Sequence, residues 1–456
     1  MAEAENKMGT MSIRRLILHM SWPMMLSMLI QALYNMVDSF FVAQIDERAF
    51  VALSLAYPVQ TLMIAICTGL GVGINAMLSR RLGEGRRDEA SAVALNGYLV
   101  YFLAWLVFLV FGLTLGGSFV GFFHQDSVVR EYGAQYLTIV TTLSIGVCMQ
   151  FAAERVLQAT GDAVGPMVVQ GVGAAINIVL DPVLIFGLGP FPAMGVAGAA
   201  IATVFGQIVG MGFGFFLVSR NRVLVLRLRG FRPSLSTIGD ILHIGAPAIV
   251  MQSLATVMNL GMNKILALPA VTARYQDGPV FLLGAYFKLQ SFVFMPVYGM
   301  NNALTPILSY NYGARHRRRI AEGVRFALLV ATGIMAAGTL VFLLLPGPLL
   351  AIFNPSGETM ALGVTALRIL APAFLFAGVS IILGAAFQAL GAPMYSLVVS
   401  LLRQLVVVLP VCLVFALLSP GLVWWSIPIA EAAACGAAFL LYRRVHRTKI
   451  SALEDA

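Results

Sequence analysis

The chain has 456 residues, 59% of them hydrophobic and only 11% charged, with a mean hydropathy of +0.89. Soluble domains carry roughly 25% charged residues, so too few polar side chains remain here to cover a water-exposed surface. A cytosolic enzyme, a nucleic-acid-binding domain and a disordered chain are excluded on that ground, and the net charge of +9 has to be located before it is interpreted.

The polar, basic residues 1–15 lead into an apolar run from Leu16 to about Ala43. That run is far longer than the ~7–15 residues of a signal-peptide core and reads as a retained first transmembrane helix. A helix needs ~20 apolar residues to cross a ~30 Å hydrocarbon core. On that measure six spans fall near 13–43, 50–80, 93–121, 130–158, 164–188 and 194–219. Six more follow near 240–268, 279–310, 321–350, 362–390, 394–418 and 421–444. Gly161-Asp162, Gly189-Pro190, Pro346-Gly347-Pro348, Gly391 with Pro393, and Pro420-Gly421 are the stops between them.

Lysine and arginine set the orientation. Lys7, Arg14 and Arg15 precede the first span, and Arg80, Arg81, Arg86 and Arg87 follow the second. Arg220, Arg222, Arg227, Arg229 and Arg232 follow the sixth, Arg315 and Arg317 to Arg319 the eighth, and Arg443, Arg444, Arg447 and Lys449 the last. The odd-numbered loops hold only Arg48, Arg130 and Arg274. Both termini are therefore expected in the cytoplasm of a multi-pass plasma (inner) membrane protein. The basic charge is a topology signal suited to anionic lipid headgroups, not a nucleic-acid footprint. Cys67, Cys148, Cys412 and Cys435 stand singly in apolar runs, without the spacing of a disulfide framework or a zinc site.

The chain repeats itself. Ile17-Leu18-His19-Met20 with Pro23 matches Ile241-Leu242-His243-Ile244 with Pro247, and Ser79 with Gly83 matches Ser309 with Gly313. Gln158-Ala159-Thr160-Gly161 matches Gln388-Ala389-Leu390-Gly391, and Pro182-Val183 matches Pro410-Val411. Four matches in one order at a near-constant offset mark an internal repeat. The expected fold is all-α, with twelve transmembrane helices in two six-helix lobes. An even number of helices per repeat implies a pseudo-twofold along the membrane normal, as in many secondary transporters. The expected divisions are an N-lobe over 1–219, a cytoplasmic linker over 220–239 and a C-lobe over 240–456.

Ionisable groups inside spans are costly and are functional candidates by default. Asp38, Glu154, Asp181 and Glu431 are the acids near mid-span. Aligned through the prolines, Asp38 falls opposite Met262 and Asp181 opposite Leu409, so the second half lacks both acids. Pro182 frees the carbonyl of Ile178, and Asn177 and Asp181, four apart, share a helix face. Two carboxylates, an amide oxygen and a freed carbonyl suit a monovalent cation such as sodium; alternatively, two acids in a low-dielectric lobe are candidates to carry protons. Glu154 is expected to pair locally with Arg155 or to take part in transport, and Glu431 to make a packing hydrogen bond or a functional one. Lys264, Lys288, Arg368 and Arg403 are candidates for anionic substrate groups, lipid phosphate or acids of other helices. Gly69-Leu70-Gly71-Val72-Gly73 follows no strand and is read as close helix packing rather than a phosphate loop. There is no ATP-binding motif.

These segments resemble the multidrug and toxic compound extrusion (MATE) transporters. The likeness is carried by Pro23 with Leu33-Tyr34-Asn35-Met36-Val37-Asp38-Ser39-Phe40, by Gly69 to Gly73 with Ser79 to Gly85, and by Gln158 to Asp162. Asn177 to Pro182, Gly195 to Thr203 and Asn311-Tyr312-Gly313-Ala314 extend it over nearly the whole chain, and the branch it points to is the bacterial and archaeal one with acids in the first lobe. The resemblance implies a proton- or sodium-driven antiporter exporting amphipathic, often cationic drugs by alternating access, with no enzymatic activity. It maps the ion site onto Asp38, Asn177, Asp181 and Thr203, with Gln31, Tyr34, Asn35 and Tyr136 around the substrate cavity. Expected partners are small organic molecules and the lipid bilayer, with no nucleic acid and no cofactor beyond the coupling ion, and the chain is expected to act as a monomer. The alternative is a flippase or exporter of lipid-linked or anionic precursors from the same superfamily, using a cavity lined by Lys264, Lys288 and Arg403.

Overall fold

The computed structural model describes residues 6–123, 126–227, 230–275 and 278–453. Among them every regular element is a helix, the arrangement that satisfies all backbone polar groups within one segment in a lipid solvent. The spans are α1 (Ile13–Ala43), α2 (Glu47–Gly83), α3 (Arg87–Thr114), α4 (Ser127–Thr142 with Ile145–Ala159), α5 (Val164–Phe186) and α6 (Gly195–Ser219). They continue as α7 (Leu235–Leu266), α8 (Gly278–Gly313), α9 (Arg317–Leu344), α10 (Gly357–Leu370 with Ala373–Ala389), α11 (Pro393–Leu418) and α12 (Pro420–Ile450). Ten are single helices long and apolar enough to cross a membrane; α4 and α10 are pairs bent by 42° and 45°, which bring the spans to twelve.

The stops work as their residues require. Gly161 (φ +88°) and Gly391 (φ +67°) end α4 and α10 in the left-handed region, which costs glycine little and a side chain much. The matching turns of the two repeats therefore end on the same chemistry.

The chain forms two compact units. The first comprises the residues up to 11 together with Trp22–Ile249, and the second comprises Ser12–Ser21 and Val250–Ala456. Both divisions lie inside a helix: α1 changes unit one residue before Pro23, and α7 changes two residues after Pro247.

Within the first unit the glycines of α2 are a packing surface. A Cβ on Gly69 would lie 2.6 Å from the backbone nitrogen of Ile249, and one on Gly73 would strike the carbonyl of Ile241. Those two glycines let the first half of α7 lie directly on α2. Gly71 instead leaves room for Arg155, whose Nε would be 2.6 Å from an added Cβ. Cys67 of α2 and Cys148 of α4 meet in the same unit, with their sulfurs 3.7 Å apart.

Candidate functional site

The first unit contains a cavity of about 530 Å³. α1 contributes Ile30, Gln31, Tyr34 and Asp38, whose spacing puts them on one helix face. α2 adds Tyr57 and Gln60, α4 adds Tyr136 and Gln150, α5 adds Gln170 and Asn177, and α6 adds Thr203 and Gln207. Tyr136 accepts a hydrogen bond from Gln60 Nε2 at 2.7 Å. Among the described residues the wall is apolar and aromatic with carboxamides, hydroxyls and one carboxylate, and no lysine or arginine lines it. Such a surface suits an apolar ligand carrying positive charge.

The polar end of the cavity is built by α5 and α6. A Cβ on Gly206 would lie 2.6 Å from the carbonyl oxygen of Gly173, so the two helices meet backbone to backbone at that level. The approach lets Asn177 Nδ2 donate both to Thr203 Oγ1 (3.3 Å) and, along its own helix, to Asp181 Oδ1 (3.2 Å). Asp181 is fully buried, and Asn177 and Thr203 are nearly so, at 2% and 9% exposed. Asp38 lines the same cavity as Asn177 and Tyr136.

Four buried oxygens in this region have no hydrogen-bond partner: Asp38 Oδ1, Asn177 Oδ1, Asp181 Oδ2 and Gln207 Oε1. All four are acceptors. Buried polar groups are almost always paired, so a cluster of unpaired acceptors is the chemistry of a site for a monovalent cation, or for a proton on a carboxylate. The oxygen set has the hardness that sodium prefers.

Asp38, Asn177 and Thr203 thus line one cavity with Gln31, Tyr34 and Tyr136, and Asp181 lies behind its wall, bonded to Asn177. The side chain of Asn35 lies outside the described residues. Glu154 corrects its expected local pairing. It does not bond Arg155; its two oxygens accept from Gln150 Nε2 and Gln170 Nε2, each at 3.0 Å, and Ser27 of α1 donates to Gln170 Oε1. Neighbours in sequence on a helix point about 100° apart, and Arg155 turns instead to Gln158 (2.7 Å) and the ring of Phe151. Reading only ionisable residues misses Gln60, Gln150, Gln170 and Gln207, although a glutamine inside a span is itself a signal.

In the second unit Arg403 pairs with Glu431 at 2.7 Å and lines a cavity of about 200 Å³. Lys264 and Lys288 are exposed and do not line it, and Lys288 sits over the ring of Phe353.

The MatE family model matches residues 23–183 and again 247–414. This chain belongs to the MATE family. It is a multi-pass membrane transporter and not an enzyme. The two matched segments begin at Pro23 and Pro247, so the family unit coincides with the internal repeat. A FAD transporter of Shewanella oneidensis is 27% identical over 87% of each chain. The multidrug export protein MepA of Staphylococcus haemolyticus is 25% identical over 96% of this MATE chain and 95% of its own. A MOP-superfamily transporter from Pyrococcus furiosus, described with a binding pocket of reverse polarity that suggests a different function, superposes with a TM-score of 0.89 at 25% identity over 99% of both chains.

Proposed function

We propose that this MATE transporter exports amphipathic organic cations in exchange for protons or sodium ions, with the coupling ion held by Asp38, Asn177, Asp181 and Thr203. The observation that carries the reading is the first-unit cavity: among the described residues Asp38 is its only charged lining residue, and the four unpaired oxygens near it are all acceptors. A coupling ion bound there draws α1 toward α5, because Asp38 belongs to the former and Asn177 and Asp181 to the latter.

The consequence for substrate follows from the lining. Ile30, Gln31 and Tyr34 share a helix with Asp38, so movement of Asp38 changes the cavity wall. Pro23, a few turns earlier, cannot donate to the carbonyl of His19, and a helix bends most easily at such a place. Ion binding and drug binding then compete through the shape and charge of one cavity, as exchange requires. Arginines after α2, α6 and α8 support cytoplasmic termini in a plasma membrane. The lipid-precursor reading would need a shared basic cavity, whereas Lys264 and Lys288 are not among the residues lining the Arg403 cavity.

The test is resistance to tetraphenylphosphonium in a bacterial host stripped of its own exporters. Cells expressing the wild-type chain grow at concentrations that stop cells expressing Asp181→Asn at equal membrane abundance. Equal resistance of the two would remove Asp181 from the coupling site.

A further inference from the structure

In the second unit, α11 leaves α-helical geometry over Leu402–Val406, and this π-turn carries both Arg403 and Gln404. Such turns are frequent at functional sites, where the extra residue re-aims side chains. Arg403 Nε reaches Glu431 Oε1 of α12, with the two side chains 13% and 7% exposed. Counting on from Pro182 and Pro410 at equal spacing sets Glu431 opposite Thr203. Glu431 thus stands in the second repeat where Thr203 stands in the first, and Arg403 of the neighbouring helix supplies a cation from the chain itself.

Beside the pair lies the cavity of about 200 Å³, walled by the rings of Tyr286, Phe287, Phe294 and Tyr298. Arg403 lies over the Phe294 ring at 5.9 Å. Two polar groups of this cavity lack a donor: Glu431 Oε2, on a residue only 5% exposed, and Gln404 Oε1. An unpaired buried acceptor is a standing cost that a ligand's N–H or O–H removes. The guanidinium at 2.7 Å from Glu431 repels a second cation, and the carboxylate beside it repels an anion. The rings favour a flat partner.

We propose that this cavity is a second ligand subsite, which takes an uncharged aromatic group bearing an N–H or O–H donor. It differs in chemistry from the cation cavity of the first unit, and its existence does not depend on which ion drives transport.

The experiment is a calorimetric titration of 2-naphthol into the full-length protein in lipid nanodiscs, with empty nanodiscs as the blank. One saturable site is expected. The same ring without a donor, 2-methoxynaphthalene, binds about tenfold or more weakly, because a polar site rejects an analogue that leaves it unpaired. The double variant R403M/E431L replaces the ion pair by apolar groups of similar size, a change buried pairs often tolerate; it loses the site while eluting as a single species. Should that variant not fold, Gln404→Met removes one of the acceptors and weakens 2-naphthol several-fold. No saturable binding, equal affinity for the methyl ether, or unchanged 2-naphthol binding in the folded variants would overturn the proposal. Failure of wild-type cation export would strike the proposed function instead and leave this titration untouched.

Discussion

Glu154 shows how neighbouring side chains decide what a buried acid does. Its carboxylate is clamped by the amides of Gln150 and Gln170, and Ser27 holds Gln170 from α1. Those bonds join α1, α4 and α5 through one carboxylate, the arrangement expected of a packing group. Glu154→Gln is accommodated if Gln170 flips and the Ser27 hydroxyl turns to accept, so the expected loss is under about 1 kcal/mol with export retained. Glu154→Leu leaves two buried amides unpaired and lowers stability by about 2–4 kcal/mol, read as a lower thermal unfolding midpoint in detergent. Loss of gradient-driven export in the folded Gln variant would instead place Glu154 in the coupling chemistry. Asp38 and Asp181 were legible in the sequence because acids in apolar spans are expensive and because the second repeat lacks them. The glutamines carry no charge to mark them as ion-site candidates, and most of their partners come from other helices, which the order of residues does not reveal.

Helix ends and spans follow from composition, and so the twelve spans could be read from apolar runs and Gly/Pro stops. What happens inside a span is harder to read. The bend of α10 has a visible cause in Pro372, whereas the bend of α4 at Leu143-Ser144 and the π-turn at Leu402–Val406 have no proline and depend on tertiary packing. Contact between helices is set by glycines whose partners lie far away in sequence. At Gly206 an added methyl meets backbone rather than a movable side chain, so Gly206→Ala must separate α5 from α6 and spoil the Asn177–Thr203 contact. A stability loss of about 1–3 kcal/mol and a weaker export rate are expected. Gly212→Ala, on the same helix but facing open space, is the control and leaves both unchanged. Equal behaviour of the two variants would mean that the close approach at Gly206 does not matter.

Across the whole molecule the internal repeat is the dominant fact, legible as four matched segments and recovered as two matches to one family model. The repeats share a fold and differ in chemistry. In the first, Asp38 and Asp181 each keep an unpaired oxygen; in the second, Glu431 is paired through one of its oxygens with Arg403 of the same chain. Which stretch of α1 and α7 belongs to which unit was not legible, because hydropathy marks a span and says nothing about the neighbour it packs on. The orientation of the spans rests on arginine placement and has a direct check. With the native cysteines replaced, Thr448→Cys on the exposed face near the end of α12 is expected to react with a membrane-impermeant maleimide only after the cells are opened. Labelling in intact cells would invert the topology.

The central claim is that a cation bound at Asp38 and Asp181 drives the exchange. It is tested most directly by ethidium movement in proteoliposomes, with proton and sodium gradients imposed one at a time on wild-type protein and on Asp38→Asn. The account predicts wild-type transport under at least one gradient and, for the folded variant, transport no faster than protein-free liposomes. Gradient-driven transport at the wild-type rate in Asp38→Asn, or none in the wild type under either gradient, would contradict it.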